Sequence, residues 1–258
     1  MLSPARFALT AALFSVLAVP PAAAHFQELI PSSDVVSAGD PRTVRLDAVF
    51  THPMSQGPAM EMAKPARMGV RVNGKTQDLL GQLQSGEVDG KTAWHLDYEI
   101  KEPGGYVFFV EPQPYWEPAE EKMIVHYTKV VVDAFAWGDG WDEMVGFPVE
   151  IQPLARPYGL WTGNAFRGIV LKNGEPVPFA EVEVEWINDG SVTPPSEAFE
   201  TQVIKADAQG VFAYTMPRAG WWGFAALIDG DTPMKAPGGQ EVGVEQGALI
   251  WVKTVDMK

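Results

Sequence analysis

Apolar and polar residues alternate one by one through much of this chain, and that two-residue period is what most limits its fold. Val44, Leu46, Ala48 and Phe50 alternate with Thr43, Arg45 and Asp47, the pattern of a strand buried on one face. Trp94, Leu96, Tyr98 and Ile100 alternate with His95, Asp97 and Glu99. Within Lys122 to Val132, Met123, Val125 and Tyr127 share one face, and Ile124, His126 and Thr128 share the other. Val70-Arg71-Val72 runs into Asn73-Gly74, a pair that favours a tight hairpin turn. Pro103-Gly104-Gly105 turns the chain into an apolar run from Tyr106 to Val110. No segment sustains a 3.6-residue period, and the 22 prolines are hard to place inside helices, where each removes a hydrogen bond. The first half is therefore expected to be all-β.

Ile151 to Gly163 contains Pro153, Pro157 and Gly159 and reads as a connection between domains. The predicted organisation is an N-terminal β-sandwich at 25–152, a linker at 153–163, and an immunoglobulin-like domain at 164–258. In the last of these, Phe166 to Leu171, the Asn173-Gly174 turn and Val182 to Trp186 suggest one hairpin. Val203-Ile204 and Val211 to Thr215 flank Asp207-Ala208-Gln209-Gly210, which suggests a second turn. About seven short strands in so short a stretch suit a small sandwich. The segments GIVLKNGEPVPFAEVEVEW and KADAQGVFAYTMPRAGWWGFAAL resemble the carboxypeptidase-regulatory-like module. That resemblance implies a structural or docking role, and a fold of this kind confers no activity by itself.

The first 24 residues look like a leader. Arg6 is followed by an apolar run from Phe7 to Val19, then Pro20-Pro21 and Ala22-Ala23-Ala24, in the order of a secretory signal peptide with its cleavage site. The run is too short for a membrane span, which needs about 20 apolar residues. Cleavage after Ala24 leaves a mature chain that begins at His25, lies in the periplasm and has no membrane segment of its own. It holds 18 basic side chains against 33 acidic ones, because Arg6 is the leader's only charge. So acidic a chain is a poor partner for nucleic acid or anionic lipid. The absence of cysteine is unusual for an exported protein, so the fold has to rest on packing. A metal site would have to use His, Met or carboxylate.

Chemistry concentrates in the first half. The four histidines are His25, His52, His95 and His126, and none occurs in the 132 residues after the last of them. Neutral imidazole binds nickel, copper or zinc well. Once exposed, His25 offers both an α-amine and an imidazole to one ion. His52 precedes Pro53 at the end of a strand, at a rim where function tends to sit. His126 lies on a face that is either core, which makes it a buried structural histidine, or the wall of a cleft, which makes it a ligand. His95, with Asp97 and Glu99 on its face, fits a solvated position first and a reserve ligand second. Met54, Met60, Met62 and Met68 are soft donors that suit Cu(I), although methionine is also adaptable packing material. Tyr115 to Glu121 carries Glu117, Glu120 and Glu121, which can serve as cation ligands, as partners for imidazoles, or as an ordinary exposed loop. No nucleophile elbow, zinc-protease helix or phosphate loop is present in the sequence, so no enzyme activity is expected.

Five segments carry a resemblance over nearly the whole mature chain: HFQELIPSSDVV, FTHPMSQGPAMEMAKP, FFVEPQPYWEPAEEKMIVHYTKVVVDAF, WDEMVGFPVEIQPLARPYGLWTGNAFRG and the tail from Gly210. They look like the periplasmic nickel-binding accessory component of bacterial energy-coupling-factor type nickel-uptake transporters. The resemblance implies a protein that captures Ni2+ and passes it to membrane permease components. Carried onto this chain, it points to His25, His52 and His126 as ligands. His95 lies outside the resembling segments. Two other readings stay open: a periplasmic copper carrier using His25 with Met54, Met60 or Met62, and a structural or adhesive module in which the histidines are incidental.

Overall fold

A computed structural model describes residues 25–258. The leader predicted at 1–24, with its cleavage after Ala24, lies outside the described residues. The principal strands of the N-terminal half are β1 (Phe26–Pro31), β2 (Thr43–Thr51), β3 (Arg67–Val72), β4 (Lys75–Asp78), β5 (Gln84–Val88), β6 (Lys91–Glu99), β7 (Gly104–Glu111) and β8 (Lys122–Ala134). The C-terminal half adds β9 (Val149–Pro153), β10 (Ala165–Lys172), β11 (Glu181–Trp186), β12 (Gln202–Lys205), β13 (Val211–Thr215), β14 (Gly220–Asp229) and β15 (Val244–Val255). Among the described residues the only helices are two single turns, Leu80–Gln82 and Glu197–Phe199. No helix among them is long and apolar enough to cross a membrane. The fold is all-β, as the alternation predicts.

One long sheet organises the molecule, in the order β12-β11-β14-β15-β8-β7-β3-β4. Its two faces carry two cores. On one face Tyr106, Phe108, Val130, Val132, Leu249 and Trp251 pack beneath a four-stranded sheet ordered β1-β2-β6-β5. On the other face Val125, Tyr127, Val182, Phe224 and Ile250 pack against Ile151, Phe166 and Phe212, which come from β9, β10 and β13. A strand covered on both sides has no polar face to keep. That is why β8, buried along nearly its whole length, reads as a mostly apolar run.

The seam of this sheet joins the two halves of the chain. β15 runs parallel to β8, with Met123 opposite Val244 and Val130 opposite Trp251. The segment read as a linker is itself tied in: Pro153 ends β9 opposite Gly168, and Leu160–Trp161 pairs with the end of β15. The two sandwiches therefore share one hydrogen-bonded sheet. Beside the seam, Lys129 and Glu150 are buried to 1% and 3% exposure, with Nζ 2.6 Å from Oε1. Glu150 also accepts the N–H groups of Val145, Gly146 and Phe147, which satisfies a charge that would otherwise be costly to bury.

Local turn chemistry holds where it was strongest. Asn73 and Gly74 have φ of 49° and 72°, and Asn173 and Gly174 have φ of 53° and 83°, the positive pair that a tight hairpin turn needs. The hairpin predicted from Phe166 to Trp186, however, does not form. After the Asn173-Gly174 turn β10 pairs only with Glu175–Pro176, and β11 crosses to the central sheet, between β12 and β14. Pro176, Pro178 and the positive φ of Phe179 break the ladder there. The Asp207–Gly210 turn closes with Gly210 N–H donating to Asp207 O at 3.0 Å. It links β12 of one sheet to β13 of another instead of making a hairpin.

Candidate metal site

The site follows from one register. β1 and β2 are antiparallel with Phe26 opposite Thr51, so the residue before β1 and the residue after β2 come side by side. Those residues are His25 and His52, and their ring centroids lie 4.6 Å apart. Phe50 sits behind them, 5.7 Å from the His25 ring and 5.8 Å from the His126 ring. A short strand, Tyr115–Glu117, pairs with the start of β8 and closes the side, placing Tyr115 6.3 Å from His25. Glu117 Oε2 lies 3.1 Å from His25 Nε2.

His126 resolves the alternative left open by its sequence position. Its face of β8 is core, and the residue is only 2% exposed. It also lines a cavity of about 230 Å³ together with Gln27, Phe50, Met62, Tyr115 and Trp116. Among the described residues its Nδ1 has no hydrogen-bond partner, and its Nε2 faces Glu245 Oε1 at 3.5 Å, an ion-pair contact too long for a strong hydrogen bond. Room for the imidazole comes from Gly247, its partner across the β8–β15 seam. A Cβ there would lie 2.9 Å from Nε2.

His52 rests on Gly57, whose Cβ would meet its ring at 2.9 Å. The loop that carries it is pinned by the histidine-free half. Met54 N–H donates to Glu185 Oε2 at 3.0 Å, and Asn188 N–H donates to Pro53 O at 3.1 Å. Asn188 Nδ2 donates to Met54 O. Sequence reasoning missed Gly247, Glu185 and Asn188, because nothing in their local pattern says that they meet a segment over a hundred residues away. His95 does not join the group. It stays on β6, opposite Asp47 and Gln84, and Asp47 lies about 16 Å along the extended strand from His52. Met62 lines the cavity, Met54 and Met68 are buried in the cores, and Met60 is only partly buried.

Burial dominates the electrostatics of this corner. Burial lowers the His25 pKa, and His52 lowers it further, against an opposing pull from Glu117, so the ring is neutral near pH 7. Behind the imidazoles stand carboxyls that resist ionisation. Burial pushes Glu183 and Glu185 up to about 7. Burial and the neighbouring Glu185 push Glu28 up to about 8. Burial also works to raise Glu245, but His126 and Lys122 outweigh it and hold that carboxyl below its ordinary range. Among the described residues no three His, Asp or Glu side chains form a group that could hold a metal ion. What the geometry offers is a tilted imidazole pair, 4.6 Å between centroids, and a third imidazole behind Phe50 with Glu245 3.5 Å from its Nε2.

The profile of a family described as "Domain of unknown function (DUF4198)" matches residues 22–230. No curated protein matches the chain. Among solved structures, native Escherichia coli α2-macroglobulin is similar at 12% identity and a TM-score of 0.26, over 90% of this chain but only 14% of its own length. The D00-D0 domain of intimin is similar at 10% identity and a TM-score of 0.21, covering 90% of this chain and all of the intimin fragment. The titin I67–I69 fragment shares 10% identity at a TM-score of 0.21, covering 88% of this chain and 65% of its own.

Proposed function

The chain belongs to the DUF4198 family of domains of unknown function, and we propose that it is a periplasmic carrier that captures Ni2+ and hands it to a membrane uptake permease. The observation that carries this reading is the β1–β2 register, which brings the His25 and His52 rings to 4.6 Å of each other, with the buried His126 ring on the other side of Phe50. Nickel accepts nitrogen-rich shells. A mature chain starting at His25 supplies an α-amine beside the His25 and His52 imidazoles, with the His126 imidazole behind Phe50. The resemblance of the segments around these histidines to a nickel-uptake component supports the choice of cargo. The leader pattern supports the compartment. The cargo leaves as its ligands protonate, since metal affinity falls wherever protons compete for the same lone pairs.

The test is calorimetry with Ni2+ on protein exported and processed to begin at His25. Replacing His25, His52 or His126 by Ala is expected to weaken binding at least tenfold, about 1.4 kcal/mol. Nickel at about 100 times its dissociation constant is expected to add about 2.7 kcal/mol of stability. Absence of nickel binding, or binding untouched by the triple replacement, refutes the reading. One observation favours copper as a second reading: Met62 lines the same cavity as His126, and a thioether beside an imidazole suits Cu(I). Titration with Cu(I), and its loss on Met62→Leu, separates the two.

A further inference from the structure

We propose that β12 is a docking edge, to which an extended segment of a partner protein adds as one more strand. Its aromatic side chain enters the tryptophan-walled cavity beside the edge, and its Lys or Arg side chains lie on the opposite face. The proposal goes beyond the carrier reading and does not depend on it. Among the described residues β12 pairs with β11 alone, so half of its backbone N–H and C=O groups point outward with no strand beside them. Such an edge is a template for another chain, and proteins usually blunt it with charged or polar side chains. The far end of the same sheet is blunted in this way: β4 reads Lys75, Thr76, Gln77 and Asp78, all exposed. β12 instead presents Val203 at 53% exposure, and Phe199, in the single turn that leads into it, is also 53% exposed.

The two faces of this edge differ. Gln202 and Ile204 lie opposite Val184 and Val182, on the face that carries the core. There a cavity of about 180 Å³ opens between Trp186, Trp222, Phe199, Gln202 and Arg218. Both indole N–H groups are already used, by Ala219 O and Arg218 O, so the walls present apolar ring surface. A cavity of about 150 Å³ is enough to hold a benzene ring. The Arg218 guanidinium lies 4.9 Å over the Trp186 ring, so a cationic segment has to turn its charge to the other face. On that face Val203 and Lys205 lie opposite Glu183 and Glu181. Lys205 is taken up by Glu181 at 3.1 Å, whereas burial, and after it four further carboxyls, raise Glu183 to about 7. Side chains of an added strand alternate between the two faces, so every second residue meets the cavity side and its neighbours meet the acids. In this mode of recognition main-chain bonds give affinity and pockets for alternate side chains give specificity. Charge disfavours a second copy as the occupant: antiparallel pairing of β12 with itself gathers Glu181 and Glu183 of both copies on one face, in a chain of net charge −14.

The experiment is fluorescence anisotropy of a labelled, end-capped heptapeptide of alternating Lys and Phe, titrated with the full mature chain. A peptide of the same composition, with Lys and Phe in separate blocks, is the comparison. The alternating peptide is expected to bind about tenfold more tightly or better, because only it sends every Phe to one face. Val203→Lys, which supplies the charge that usually blunts an edge, is expected to weaken binding about tenfold, and Phe199→Ser to weaken it as well. Both positions are exposed, and thermal melts matching the parent show that the variants fold. Methylation of the Lys amides and of the Phe amides, in separate peptides, is expected to abolish binding in one case and spare it in the other, since an added strand bonds through one edge only. Equal binding of the alternating and block peptides means attraction to an acidic surface alone and overturns the proposal. So does binding untouched by Val203→Lys, binding of neither peptide, or a dimer of this chain in sedimentation that Val203→Lys abolishes.

Discussion

Glu183 offers a quantitative test of how the acidic wall behind the histidines is built. It sits on β11 opposite Val203 and Ala225 and is only partly exposed. Burial, then Glu245, Glu185, Glu120 and Glu181, raise its pKa from 4.5 to about 7. Each pKa unit is worth about 1.4 kcal/mol, so full expression of this rise is worth about 3 kcal/mol of folding stability. The sign follows from where the proton is held more tightly. Between the two values the native state keeps a proton that the unfolded chain has released. The stabilisation is therefore complete below pH 4.5, declines as pH rises through 7, and is gone above about 8. Glu183→Gln removes the ionisation while keeping the shape. The variant is expected to match the parent near pH 4.5 and to exceed it at pH 8.5 by about 2–3 kcal/mol, a value reduced for partial exposure. Urea denaturation followed by tryptophan fluorescence at the two pH values measures this, with an unchanged denaturant slope as the control. Equal stability at pH 8.5, or a gain of the same size at both pH values, would refute the argument that the carboxyl is held against its charge.

Two further perturbations probe the seam. Gly247→Ala places a Cβ 2.9 Å from His126 Nε2; it is expected to cost about 1–3 kcal/mol by overpacking and to lower nickel affinity more than tenfold, read by thermal melts and calorimetry. Lys129→Met leaves the Glu150 carboxylate buried without its counter-charge and is expected to cost about 3–5 kcal/mol in a denaturant titration. A loss below 1 kcal/mol would mean that the three backbone N–H donors to Glu150 suffice on their own.

What could be seen in advance divides by the range of the interaction. The alternation at Val44 to Phe50 and at Trp94 to Ile100 found β2 and β6, because a half-buried strand writes its two faces into its own sequence. The Asn-Gly pairs found their turns for the same local reason. The expected hairpin at 166–186 failed because β11 alternates just as cleanly as a strand of a different sheet, and alternation does not name a partner. The parallel seam between β8 and β15 was out of reach: its partners lie some 120 residues apart in sequence, and parallel pairing has no turn signature. Gly247 looks like an ordinary strand glycine until His126 is seen lying over it. Lys129, in an apolar run, gave no sign of its partner at Glu150.

The same distinction explains why the histidine-free half matters to the site. His25 and His52 meet through neighbouring strands of one small sheet, so their meeting is a matter of local register. His126 lies behind Phe50 in room that β15, from the other half, leaves with a glycine, and the His52 loop is held by Glu185 and Asn188. The scaffold role read for residues 164–258 and the binding role read for 25–152 are therefore physically inseparable. Any event that loosens the β8–β15 seam also moves an imidazole and frees the loop bearing another. On the proposed carrier reading, such a coupling would tie cargo release to a distant surface through the shared central sheet, without a hinge between domains.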